Sequence, residues 1–283
     1  MIFSRSNPWN ESFVEIAHRQ VRHWSSNTHP KKILLIAHGQ GEHAGRYEHF
    51  THFLNREVDQ IFAIDHLGHG KSRGARGHIE TFKDYTEPLK ELILWVKAQS
   101  PDAQLHLLGH SLGGLIVLQL IQENLNLPLK SAIVSAPLLD LAFPAPPLKK
   151  FFGELIEPIL GKLSLSNELD PSWVSHDPQV VSHYKTDPLN HNRVTPRFFV
   201  QMQRAMTSVK SFAGELNTPM MMIVPLEDKV VSAAMNRKFF ANLKMAKGMS
   251  KELQMFPHFY HEAFNELGNE RAFNCLSSWL RKI

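Results

Sequence analysis

The chain is poor in cysteine: its 283 residues include one, Cys275. A single thiol cannot close an internal disulfide. That excludes a disulfide-stapled scaffold and fits a reducing compartment, so cytoplasm is the expected location. Long apolar runs are missing as well. No window reaches the ~18 uninterrupted apolar residues of a membrane span, and residues 1–12 lack the apolar stretch of a signal peptide. Dense basic tracts are absent: 31 Lys and Arg stand against 27 Asp and Glu, and the longest pure clusters are pairs such as Lys31-Lys32 and Lys149-Lys150. Nucleic acid is therefore not an expected partner. Transient contact with a membrane surface stays open, and nothing in the sequence indicates an oligomeric state.

Histidine, by contrast, is abundant, with 17 residues. That count suggests a metal, and the spacing argues against one. His49 and His52 lie three apart in a helical pattern, His66 and His69 three apart in a Gly-rich loop, and neither pair has the HExxH arrangement of a helical zinc site. No metal or organic cofactor is expected. Gly70-Lys71-Ser72 resembles the end of a phosphate-binding loop. The first glycine of that motif would fall on Asp65, however, and the segment 73–78 is not an apolar helix, so nucleotide binding is not expected either.

Apolar residues make up 43% of the chain and charged residues 20%, a globular composition long enough for one large domain or two ordinary ones. Short apolar runs at 33–37, 61–64, 105–108, 132–134, 220–224 and 253–256 read as strands. Longer periodic segments at 47–57, 81–99, 112–123, 232–244 and 271–280 read as helices. The alternation predicts an α/β fold with a mostly parallel central sheet flanked by helices. Residues 14–24 alternate and predict one earlier, antiparallel strand. From 137 to 216 no strand is evident, and prolines punctuate short helical patterns. This stretch reads as a helical cap inserted between two late strands, over a core formed by 1–136 and 217–283. Within it, Leu148, Phe151, Phe152, Leu155, Ile156 and Ile159 fall at helical spacing, as a helix packed on the core or as a lid that meets lipid.

The chemistry centres on Gly109-His110-Ser111-Leu112-Gly113, placed directly after a predicted strand and before an apolar helix. That context turns a bare GxSxG into a nucleophile elbow: the glycines permit a sharp turn that exposes the Ser111 hydroxyl, and the helix N-terminus favours an oxyanion. A second loop, His38-Gly39-Gln40-Gly41, follows the first parallel strand, so the backbone N–H groups of Gln40 and Leu112 are the expected oxyanion donors. In this architecture the acid and then the base follow the serine in chain order. His261 is the expected base, with His258 as its rival. Asp228 is the expected acid, with Asp140 and Glu227 as alternatives.

With these segments, His38 to His43 with Gly45-Arg46-Tyr47, Asp65 to Ser72, Arg76-Gly77-His78, Gly109 to Gly114, Ser135-Ala136-Pro137, Asp187-Pro188-Leu189 and His261-Glu262 with Asn265-Glu266, the chain resembles the monoacylglycerol lipase and lysophospholipase group of α/β-hydrolases along nearly its whole length. The resemblance implies a serine hydrolase acting on a small lipid ester with one acyl chain. Ser111, Asp228 and His261 would be the triad and Gln40 and Leu112 the oxyanion hole. Glu42, Arg46, His110 and Tyr184 would line the polar end of the pocket. The sequence departs from the group at Val224-Pro225-Leu226, where a glycine is usual before the acid, and at Gln40, which is bulkier than the usual residue and would narrow the site.

Overall fold

The computed structural model describes residues 9–143 and 157–283. Its strands are β1 (Asn10–Ile16), β2 (Arg19–Ser25), β3 (Lys32–Ala37), β4 (Gln60–Ile64), β5 (Gln104–His110), β6 (Ser131–Ser135), β7 (Leu165–Ser166), β8 (Arg193–Val194), β9 (Glu215–Leu216), β10 (Met220–Pro225), β11 (Lys244–Met245) and β12 (Lys251–Phe256). Eight of them form one sheet in the order β1-β2-β4-β3-β5-β6-β10-β12. The hairpin β1–β2 and the β2–β4 pairing are antiparallel, and every later pairing in this sheet is parallel.

The apolar runs read from the sequence become the buried centre of this sheet because parallel strands are covered on both faces. Along β3, Ile33, Leu35 and Ala37 face one apolar cluster, and Leu34 and Ile36 face the other. The first cluster includes residues of α2 (Lys83–Gln99) and α3 (Leu112–Glu123), and the second includes residues of α1 (Phe50–Phe53) and the final helix, Glu270–Lys282. Each aliphatic side chain fully buried in this way contributes about 1.5–3 kcal/mol relative to exposure.

Two expected elements differ, and the stretch 137–216, read as free of strands, carries the two-residue strands β7, β8 and β9. The single strand over 14–24 is a hairpin, broken at Ala17 and His18, whose φ angles are +52° and +58°. Two successive positive φ angles make the tight turn that matches strand twist, and Ala-His carries no Asn-Gly-type signal for it. The helix expected over 47–57 is reduced to a 3₁₀ turn, Ala44–Tyr47, and the one-turn α1. Phe50, Leu54 and Val58 are all buried at four-residue spacing, but successive single turns satisfy it, with Leu54 N–H bonded to Phe50 O and Val58 N–H to Leu54 O.

Between β6 and β10 lie β7, β8, β9 and the helices Pro178–Thr186 and Pro196–Ser211. The second helix packs on α3, and its Phe198, Met202, Ala205, Met206 and Val209 join the core. Of the apolar set at helical spacing, Leu148, Phe151, Phe152, Leu155 and Ile156 lie outside the described residues, and Ile159 is 84% exposed. No described helix is long and apolar enough to cross a membrane.

Candidate active site

Ser111 stands between β5 and α3 with φ +53° and ψ −115°, a backbone conformation that L-residues rarely adopt and that costs on the order of 1–3 kcal/mol. The surrounding backbone holds it there. Ser111 N–H donates to Ser135 O (3.0 Å) on β6, and Ser111 O accepts from Leu138 N–H (3.0 Å) and Leu115 N–H (3.1 Å). The turn closes so tightly that a Cβ on Gly113 would collide with the carbonyl oxygen of Ala37, and one on Gly109 with that of Gly113. This close approach is the physical content of the GxSxG spacing.

His261 follows β12, and its ring is buried. Its Nδ1 lies 2.8 Å from Asp228 Oδ2. A carboxylate only accepts, so Nδ1 carries the hydrogen and Nε2 keeps its lone pair. Asp228 is itself held: its Oδ1 accepts the N–H groups of Val230 (2.8 Å) and Val231 (2.9 Å), which closes the loop after β10 without the glycine that the resemblance led one to expect. Burial acts to lower the His261 pKa. The Asp228 charge and its hydrogen bond outweigh that effect and raise it above the ordinary histidine value.

The alternatives lie elsewhere. His258 and Glu227 pair with each other on the surface at 2.7 Å, with the His258 side chain 86% exposed. Asp140 Oδ1 accepts the N–H of Leu141 (3.0 Å). His261 Nδ1 is hydrogen-bonded to Asp228 and to neither of these carboxylates.

Gln40 and Ser111 line the same cavity as His261, with a volume of about 310 Å³. Leu112 is the first residue of α3 and has no carbonyl one turn back to receive its N–H, which leaves that donor for a ligand. The Gln40 carboxamide reaches across to the insertion, its Nε2 donating to Arg193 O (3.1 Å).

The polar end of the cavity is a charge cluster. Glu42 accepts from Gly39 N–H (2.6 Å), Tyr47 OH (2.9 Å) and Arg46 Nη1 (2.7 Å). Burial opposes its ionisation, but Arg46, His110, the Gly39 N–H and the Tyr47 hydroxyl hold its pKa below the usual carboxylate range. Arg46 also grips Glu262 with both terminal nitrogens at 2.7 Å each, and its guanidinium stands 4.8 Å from the Tyr184 ring centroid. Burial, with Glu262 adding to it, pushes the Tyr184 hydroxyl pKa up, so it stays protonated. His110 is tilted against His261 with ring centroids 4.7 Å apart; burial and the neighbouring His261 push its pKa down. Of the four residues that the resemblance implies for the polar wall, Glu42, His110 and Tyr184 line the cavity together with Glu262, whereas Arg46 is absent from the lining and is bound to Glu42 and Glu262. Glu262 entered the sequence reading as part of the His261-Glu262 segment, without a role of its own.

The other buried histidines are structural. His38 Nδ1 donates to Gly39 O (2.7 Å), and its Nε2 accepts from His66 N–H (3.1 Å). Burial first, then neighbouring histidines, keeps His38 and His69 neutral and takes His66 to about 3. Among the described residues no group of three or more His, Cys, Asp or Glu side chains is arranged to hold a metal ion.

Residues 28–268 match the Hydrolase_4 family model, described as serine aminopeptidase, S33. A monoglyceride lipase of Rattus norvegicus is 30% identical over 274 residues, covering 93% of this chain and 88% of the relative. Phospholipase YtpA of Bacillus subtilis is 26% identical over 249 residues, covering 86% and 93%. The crystal structure of a monoacylglycerol lipase from Paleococcus ferrophilus superposes with a TM-score of 0.81 at 26% identity, over 96% of this chain and 98% of that one.

Proposed function

Because the chain belongs to the serine aminopeptidase S33 family of α/β-hydrolases and is an ester hydrolase of the monoacylglycerol lipase group, we propose that Ser111, His261 and Asp228 form its catalytic triad and that its substrate is a monoacylglycerol. The carrying observation is the buried Asp228–His261 hydrogen bond in the cavity that Ser111 also lines. His261 Nε2 takes the Ser111 proton as Oγ attacks the ester carbonyl, and Asp228 stabilises the resulting imidazolium. The N–H groups of Gln40 and Leu112 receive the oxyanion, each worth about 3 kcal/mol of barrier. The imidazolium then protonates the departing alcohol, and water repeats the attack on the acyl-enzyme. The acyl chain runs along Leu169, Val174 and Val230, gaining about 0.8 kcal/mol per buried CH₂. Of the stretch 137–216 read as a cap, the residues that line the cavity lie between 167 and 192, and the helix Pro196–Ser211 packs on the core.

The head-group preference follows from the charge cluster. One guanidinium faces two carboxylates, and its terminal nitrogens are already hydrogen-bonded to them. A phosphate beside Arg46 meets net negative charge and has Lys185 as the cation of the described lining, whereas a glycerol hydroxyl can donate to Glu42 or Glu262. One hydrogen bond to a charged group is worth about 1.5–3 kcal/mol, so kcat/KM should favour monoacylglycerol over lysophosphatidylcholine of the same acyl chain by about tenfold or more. Fatty-acid release from the two substrates measures it. Equal or faster turnover of the phospholipid would replace this reading by a lysophospholipase.

Ile159, Leu160, Leu163 and Leu165 are exposed at 84%, 47%, 46% and 43% on the insertion. Such a patch suits transient contact with a lipid surface. The double variant Ile159→Ser, Leu160→Ser is expected to co-sediment less with phosphatidylcholine vesicles while hydrolysing a soluble butyrate ester at the wild-type rate. Undiminished co-sedimentation would sink the membrane role.

A further inference from the structure

Glu266 is absent from the cavity wall, yet its side chain is only 1% exposed and its carboxylate is surrounded by donors. Two come from the loop that carries His261: Leu267 N–H (2.7 Å) and Tyr260 N–H (2.9 Å). Two come from the insertion: the backbone N–H (2.9 Å) and the Nδ1 (3.0 Å) of His176. The neighbouring residues continue the seam. Glu262 N–H donates to Val174 O (2.9 Å), and Ser175 Oγ donates to Asn265 O (2.9 Å). The His176 ring stacks on Tyr260 at 3.5 Å, and Lys229 Nζ donates to the Tyr260 hydroxyl (2.5 Å).

A buried carboxylate is costly unless its lone pairs are used, and this one uses them to join two chain segments 90 residues apart. The joined segments are the residue before the imidazole and the start of the arch that carries Tyr184 over the polar wall. Glu266, His176 and Tyr260 are all absent from the cavity wall. We propose that Glu266 is the positioning residue of the catalytic base: it locks the Tyr260 backbone to the insertion and so holds the His261 ring in register with Asp228 and Ser111. The inference rests on His261 being the base.

Displacing a catalytic group by about 1 Å costs about 10²-fold in rate. Glu266→Gln keeps the shape but turns one acceptor into an NH₂ that faces N–H donors. Its kcat on a soluble butyrate ester is expected to fall about 10–100-fold with KM unchanged. His176→Ala, which removes one donor and the ring, is expected to lower kcat less, and His176→Asn, whose Nδ2 can replace the ring Nδ1, to restore part of it. A lower melting temperature with kcat intact in Glu266→Gln overturns the proposal. If that variant does not fold, wild-type kcat in His176→Ala overturns it instead. His261→Ala separates the two levels: an active variant removes the triad reading, whereas an inactive one beside a fully active Glu266→Gln removes this inference alone.

Discussion

Ser111→Ala is expected to lower kcat by on the order of 10⁶-fold and to abolish labelling by a fluorophosphonate probe, while substrate still binds. The size of the effect follows from where Ser111 sits. Its Oγ is the only hydroxyl presented by the strained turn between β5 and α3, in the cavity shared with His261. Alanine at φ +53° meets the same backbone constraints and the same hydrogen bonds to Ser135 and Leu138, so the fold should persist and the loss should be chemical. Single-turnover hydrolysis of a nitrophenyl butyrate, with fluorophosphonate labelling in parallel, checks it. A variant that still labels, or retains a hundredth of the rate, would mean another nucleophile.

Asp228→Asn is expected to lower kcat by about 10⁴-fold. Here the structure dictates the orientation of the substituted amide. Oδ1 must keep accepting the N–H groups of Val230 and Val231, so the NH₂ takes the place of Oδ2 and donates to His261 Nδ1. The imidazole then carries its hydrogen on Nε2 and cannot take the serine proton. Asp140→Asn should retain most activity, since Asp140 bonds to Leu141 N–H and not to His261. The pH profile gives a second reading. In the proposed triad the base is neutral His261, whose pKa Asp228 raises above the ordinary value despite burial. Wild-type kcat/KM should therefore be lost as pH falls through an apparent pKa above about 6.5, and the residual activity of Asp228→Asn should show that limb at lower pH. A limb that does not move, or equal losses at positions 140 and 228, would remove Asp228 from the role.

Much of this architecture was legible because it is local. A parallel strand covered on both faces must be apolar throughout, so β3 and β10 appear as unbroken runs, and α3 appears as an apolar segment bounded by its elbow. The hairpin at Ala17-His18 was not legible, because its turn uses residues with no preference for positive φ. Four-residue spacing at Phe50, Leu54 and Val58 misled for the opposite reason: single turns produce the same periodicity as a helix.

The site divides along the same line. By itself the sequence determined the parallel strands of the central sheet in chain order, the serine elbow, and the fact that every candidate acid and base follows the carboxyl end of a strand. The sequence favoured Asp228 and His261 over their rivals, whereas the tertiary structure alone decided that Glu227 pairs with His258 outside while Asp228 meets His261 inside, and that Arg46 is held by Glu262 from 216 residues away. Periodicity and turn chemistry act over a few residues. These pairings are set by how the loops after β10 and β12 close over one another and by which side chains that closure removes from water, and no local signal carries that information.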